Sequence, residues 1–252
     1  MQKINLNEKE IYDIVKSNNF NYEYGSFGSV FKYKDGLGLK FSAGLVGSNG
    51  FDKEYFESHK DRLYVNEKQI ELLASKQDKV RFSSLPKGVA YYNGVPIGVI
   101  LKYFDNHKGL YNIKDENPKD IISVFFNVID IIDELIYNNI YQLDIKESNF
   151  LYSLDNRSTQ AIDLDGEYIK FSSSNDYYEC SIYSCLFKMF SFLVKTRLLD
   201  DVEKKLIDLE DAKERIEFLK KHDRGVYYFG ILESFIYSID KSNILDYDKK
   251  IR

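Results

Sequence analysis

The sequence predicts an α+β chain in two lobes, the first small and β-rich, the second mainly helical. Three observations carry this. Short aromatic and β-branched runs from Phe20 to Phe41 and from Leu85 to Leu101 are punctuated by Asp35-Gly36 and Asn93-Gly94, dipeptides that favour tight hairpins. From Pro118 onward, Ile121, Ile122, Phe125, Ile129, Ile132, Leu135 and Ile136 fall on one wide helical face. Between these regions, Lys102 to Asn117 is polar and carries Asn106, Gly109 and Asn112, as a connection between lobes does. The expected division is a first lobe over residues 1–104 and a helical lobe over residues 105–252, together forming one domain.

Taken in order, Asn7 followed by Glu10 reads as a capping box, with Ile11, Ile14 and Val15 as the apolar stripe of a short helix ending near Ser17-Asn18-Asn19. Phe20 to Phe41 then reads as strands interrupted by Gly25, Gly28 and Asp35-Gly36. Ser42 to Gly50, with Gly44, Gly47 and Gly50, reads as a flexible connection. Asp52 to Lys76 is helix-permissive, most clearly from Val65 to Leu73. Leu85–Tyr92 and Val95–Leu101 form the hairpin around Asn93-Gly94. Beyond Asn149, helices are expected over Tyr183–Leu199, over Val202–Lys221 with Leu206, Leu209, Ile216 and Leu219 inward, and over Gly230–Ile239.

The 252 residues are enough to bury a substantial core, and 44% hydrophobic with 30% charged residues is the composition of a globular protein. A net charge of −5 gives no positive field for a nucleic-acid backbone, so nucleic acid is not an expected partner. Cys180 and Cys185, together with His59, His107 and His222, have no zinc spacing, and the two cysteines read as thiols in a reducing compartment. The N-terminal residues lack the apolar core of a signal peptide. The most apolar run, Ile121 to Ile136, is interrupted by Asn127, Asp130, Asp133 and Glu134. The expectation is a cytoplasmic protein without a membrane partner.

The chemistry is concentrated in Tyr141-Gln142-Leu143-Asp144-Ile145-Lys146-Glu147-Ser148-Asn149. A carboxylate, a cation and an amide at this spacing suit phosphoryl transfer; the alternative is an ordinary polar loop after a long helix. Downstream, Asp163 follows the apolar Ala161-Ile162 and is a candidate magnesium ligand. Upstream lie the Gly-rich turn Gly25-Ser26-Phe27-Gly28-Ser29-Val30 and then Lys40. The run Gly44 to Gly50 lacks a following Lys-Ser or Lys-Thr and is not a Walker loop.

In that order, over roughly residues 20 to 190, these parts resemble the protein-kinase superfamily in an atypical, bacterial-type serine/threonine form. The resemblance implies a two-lobed kinase-like fold and an ATP-dependent phosphotransferase that uses ATP and magnesium (Mg2+). Asp144 would deprotonate the acceptor hydroxyl, Lys146 would offset charge on the transferred phosphoryl group, and Asn149 and Asp163 would hold the metal. Gly25, Ser26, Phe27 and Gly28 would cover the phosphates, and Val30 the adenine. Lys40 would contact the α- and β-phosphates and pair with a helix carboxylate. Glu67 is the first choice for that carboxylate, with Glu71 next and Glu54 and Glu57 as outside candidates. Leu101, Lys102, Tyr103 and Phe104 resemble the adenine-binding hinge; Tyr103 and Phe104 read equally as packing aromatics.

The chain departs from the family pattern at several places. Glu23 stands where the first glycine would be, Leu143 replaces the arginine before the catalytic acid, and Leu164-Asp165 replaces Phe-Gly after Asp163. Asp165 would add a carboxylate to the metal site or cap the following turn. No Ala-Pro-Glu lies between Gly166 and Cys180, and this stretch is short for seating a peptide. Three functions follow from the resemblance: transfer to a protein Ser/Thr hydroxyl, transfer to a small-molecule hydroxyl as in aminoglycoside and choline kinases, or nucleotide binding by a pseudokinase.

Overall fold

Asn93 and Gly94 both adopt left-handed backbone conformations, with φ of 49° and 77°, and close the hairpin expected of an Asn-Gly pair. The computed structural model describes residues 1–18, 23–25, 28–34, 36–47, 50–63, 65–166, 169–171 and 176–221. The protein is mixed α+β. Its chain divides into two units, the first made of Met1–Asn106 with Asp163–Gly166, the second of His107–Ile162 and the chain after Gly166.

The first unit contains β1 (Gln2–Asn5), α1 (Glu8–Ser17), β2 (Glu23–Gly25), β3 (Gly28–Lys34), β4 (Leu37–Ser42), β5 (Val46–Gly47), β6 (Gly50–Phe51), α2 (Lys53–His59), α3 (Glu67–Ala74), β7 (Gly88–Tyr92) and β8 (Val95–Lys102). Six strands form one sheet in the order β1-β7-β8-β4-β3-β2. All neighbours are antiparallel except β1 and β7, which pair parallel. Strand β1 was not expected, since four residues ahead of a helix carry little local signal. The capping box of α1 is present, with Asn7 Oδ1 accepting from the Glu10 amide and Glu10 Oε2 from the Asn7 amide. At the other end of α1, Asn18 bonds the amide and carbonyl of Lys32, tying the helix to β3. The glycine-containing stretch expected to be a flexible connection instead pairs β5 with β6 around buried Leu45.

Alternation along the strands gives this sheet two different faces. Phe31, Leu39, Phe41 and Ile100 point to one side and join Leu6, Ile11, Ile14 and Val15 in the larger core cluster. On the other side Val89 and Val99 pack with Ile70 of α3. The register places Val30 opposite Lys40 and Lys40 opposite Val99, so Lys40 rises from the α3 side.

The second unit contains β9 (Lys108–Gly109), α4 (Pro118–Tyr137), β10 (Tyr141–Gln142), β11 (Phe150–Ser153), β12 (Ser158–Ala161), β13 (Ile169–Lys170), α5 (Asp176–Glu203) and α6 (Leu209–Lys221). Helix α4 starts at Pro118 behind the Asn117 cap, as expected, and buries Ile121, Ile122, Val124, Phe125, Val128, Ile131, Ile132 and Leu135. Phe125 stacks on Phe190 of α5 at a centroid distance of 4.0 Å. Two helical expectations need correction. The helix predicted over 183–199 is longer, running Asp176–Glu203. The one predicted from Val202 begins only at Leu209, because α5 closes first. Lys205 has a φ of 58°, its amide donates to Val202, and the Leu206 amide donates back to Asp201, a Schellman ending. Asp208 then caps α6 through the Asp211 amide, leaving Leu206 and Leu209 exposed rather than inward. The helix expected over 230–239 lies outside the described residues.

Candidate active site

The loop carrying Asp144 begins where α4 stops. Asn139 takes a φ of 58°, its amide donates to Ile136, and the Ile140 amide donates to Leu135. This Schellman ending turns the chain sharply and buries Ile140 completely. Tyr141 and Gln142 then pair with Lys170 and Ile169, fixing the chain just before Leu143 and Asp144. A 3-10 turn over Glu147–Asn149 follows, and Phe150 starts the hairpin of β11 with β12.

Within that loop the three residues singled out by spacing meet. Lys146 Nζ lies 2.6 Å from Asp144 Oδ2. Asn149, only 3% exposed, donates from Nδ2 to the Asp144 carbonyl at 2.8 Å and to Asp144 Oδ2 at 3.3 Å. Oδ2 thus takes both side-chain contacts, while Asp144 Oδ1 accepts no hydrogen bond from the described residues. Because the Asn149 amide nitrogen is committed to Asp144, its oxygen is the atom turned elsewhere; its contact there is Ser148 Oγ at 3.4 Å. The Asn149 carbonyl accepts from the Ile162 amide, and Gln142 Nε2 donates to the Ile162 carbonyl at 3.3 Å. Gln142 is 1% exposed, and sequence reading gave it no role.

The first unit holds a second group. Lys40 Nζ donates to Asp163 Oδ1 and, at 2.9 Å, to Asp165 Oδ1. Burial works against the ammonium, but the charges of Asp165 and Asp163 overcome it and raise the Lys40 pKa above the usual lysine value. Asp163 has a φ of 61°, a conformation that few residues with a Cβ adopt and that favours Asp and Asn among them.

Beside Lys40 on the same face lies Gly38, where the strand has no side chain. A Cβ there would stand 3.3 Å from Leu101 Cδ1 and Tyr103 Cδ2 and 3.4 Å from Val30 Cγ1. The three apolar residues marked out for adenine therefore converge on one bare point of β4, next to the lysine. The Tyr103 amide is committed to the Gly36 carbonyl at 2.9 Å. Gly25 ends β2 and Gly28 begins β3 as register partners, and Ser26 and Phe27 lie outside the described residues.

Glu67 does not pair with Lys40. It accepts from the Tyr91 hydroxyl and from Lys3 at 3.3 Å, and these bonds hold its pKa below the usual carboxylate range. Glu71 is exposed. What α3 sends toward the acidic segment is Gln69, whose Nε2 donates to the Gly166 carbonyl at 2.7 Å. Gln69 is itself fixed at the start of α3, where its amide donates to Asn66 Oδ1 and its Oε1 accepts from Asn66 Nδ2. The Asn-x-x-Gln spacing was a readable cap signal that sequence reasoning passed over.

Asp163 in the first unit offers a carboxylate and Asn149 in the second an amide oxygen, each a donor type that suits magnesium. Among the described residues no cluster of three His, Cys, Asp or Glu side chains could hold a metal alone. No helix of the described residues is long and apolar enough to cross a membrane. Comparison with models of known protein families finds no match, and no curated protein matches the chain.

Proposed function

We propose that the protein is an ATP-dependent phosphotransferase of protein-kinase-like fold that transfers the γ-phosphoryl group to a Ser/Thr hydroxyl of a protein. The observation that carries this reading is the placement of Lys40, held by Asp163 and Asp165, on the strand face where Val30, Leu101 and Tyr103 close over Gly38. Apolar side chains for a flat base next to a fixed ammonium for phosphate are the division of labour that nucleotide recognition requires.

The residues of the 144–149 loop supply the other half of the chemistry. Asp144 keeps Oδ1 for the acceptor hydroxyl and takes its proton, while Asn149 and Lys146 hold the carboxylate through Oδ2. The Lys146 ammonium is the cation that offsets charge on the phosphoryl group. Asp163 and Asn149 would hold magnesium, which when bound with ATP neutralises phosphate charge. Lys40 orients the phosphates.

One observation favours a second acceptor. Helix α5 already begins at Asp176, so little chain separates it from Gly166, and a small-molecule hydroxyl needs no extended peptide platform. Thermal-shift titration with ATP, with and without magnesium, tests the nucleotide reading; metal-dependent stabilisation is expected, and its absence at saturating ATP refutes turnover. Incubation with γ-labelled ATP and a fractionated cell extract then separates protein from small-molecule acceptors.

A further inference from the structure

The carboxylate that positions Lys40 comes from the acidic segment and not from helix α3: we infer that Asp165 does this work, an inference that rests on the phosphotransferase reading. Lys40 has two acidic partners, and they are not equivalent. Asp163 is 28% exposed and is the metal candidate, so magnesium and Lys40 compete for its oxygens. Asp165 is 10% exposed, lies 2.9 Å from the ammonium, and remains as its partner when Asp163 turns to a metal. A buried ammonium without a carboxylate is costly, which gives Asp165 a role throughout the cycle.

The helix carboxylates are otherwise placed. Glu67 is bound to Tyr91 and Lys3, and Glu71 faces solvent. The segment that bears Asp165 is anchored on both sides of it, by Leu164, which is 1% exposed, and by the Gly166 carbonyl bonded to Gln69. Helix α3 therefore acts on Lys40 through a neutral amide and one backbone carbonyl, and the charged contact is made within the segment itself. Asp165 is accordingly a positioning residue. Neither role weighed for it from sequence, metal ligand or turn cap, describes its contact with Lys40.

The test is a double-mutant cycle on the full chain, reading the affinity of a fluorescent ATP analogue with magnesium by anisotropy. Asp165→Asn is expected to weaken binding about tenfold, by loss of a charge-assisted contact, and to weaken it no further once Lys40 is already Met. Asp165→Glu, which keeps the charge, is expected to recover most of the affinity. Equal losses in the parent and Lys40→Met backgrounds would show a merely structural role and overturn the inference. The same cycle on Glu67→Gln decides the matter even where Asp165→Asn does not fold: additivity with Lys40→Met supports the inference, and coupling overturns it. A parent protein that binds no nucleotide removes the phosphotransferase reading too, whereas a binding parent with an additive Asp165 removes only this inference.

Discussion

Gly98 of β8 lies against the backbone of Lys40 on β4 so closely that a Cβ at position 98 would overlap the Lys40 carbonyl oxygen and stand 3.1 Å from the Phe41 Cα. The atoms in the way are backbone, which cannot rotate aside, and they belong to the strand that aims the lysine. Gly98→Ala is expected to destabilise the protein by about 1–3 kcal/mol through overpacking. It should also weaken nucleotide binding, because β4 must shift. Thermal unfolding and analogue titration of the same sample check both effects; an unchanged melting temperature contradicts the close approach.

Gly38 presents the opposite case, since its neighbours are the tips of side chains. Gly38→Val puts a branched side chain against Val30, Leu101 and Tyr103, which must move aside, while suiting a strand position. The expected result is a folded protein whose affinity for nucleotide falls about tenfold or more, as the apolar side chains meant for the base are displaced. Circular dichroism and analogue binding measure the two halves of this statement.

Asp144→Asn is expected to lower turnover by roughly a hundredfold or more, since a base is lost. Nucleotide affinity should stay close to that of the parent. Initial rates beside equilibrium binding separate these outcomes, and a fully active variant would remove Asp144 from catalysis.

Asn149 and Lys146 both support Asp144, yet their burial sets different costs. Asn149→Ala removes a buried amide and leaves the Asp144 carbonyl short of a donor, an expected loss of about 1–3 kcal/mol in stability. The Lys146–Asp144 pair is 40% and 29% exposed, so Lys146→Ala is expected to cost about 1 kcal/mol or less. Denaturant unfolding of the two variants gives the comparison directly.

What could be read from sequence was set by short-range physics. The Asn7–Glu10 box, the Asn93-Gly94 hairpin and the Pro118 helix start each depend on a few adjacent residues, and all three are present. The meeting of Asp144, Lys146 and Asn149 follows from one turn of chain. The partner of Lys40 could not be found this way. Glu67 has the right charge on a suitable helix, but Tyr91 and Lys3, brought beside it by β7 and β1, claim its carboxylate. Asp165 meets Lys40 only through tertiary folding, and no local pattern announces such a contact.

Strand β1 pairs Gln2 with Gly88, and the bare Cα of Gly88 is what lets the Gln2 carbonyl approach. Strands β2, β3 and β4 of this sheet, with α1, α2 and α3, lie between the two in sequence. During synthesis β1 leaves the ribosome well before its partner exists, and the loop that must close between them is long, so its entropy cost comes before any reward. The hairpins β3–β4 and β7–β8 have no such delay. Strand β1 thus waits for β7, and Lys3, which reaches Glu67 from β1, arrives with it, whereas Asp163 and Asp165 of the lysine site follow later still in the chain.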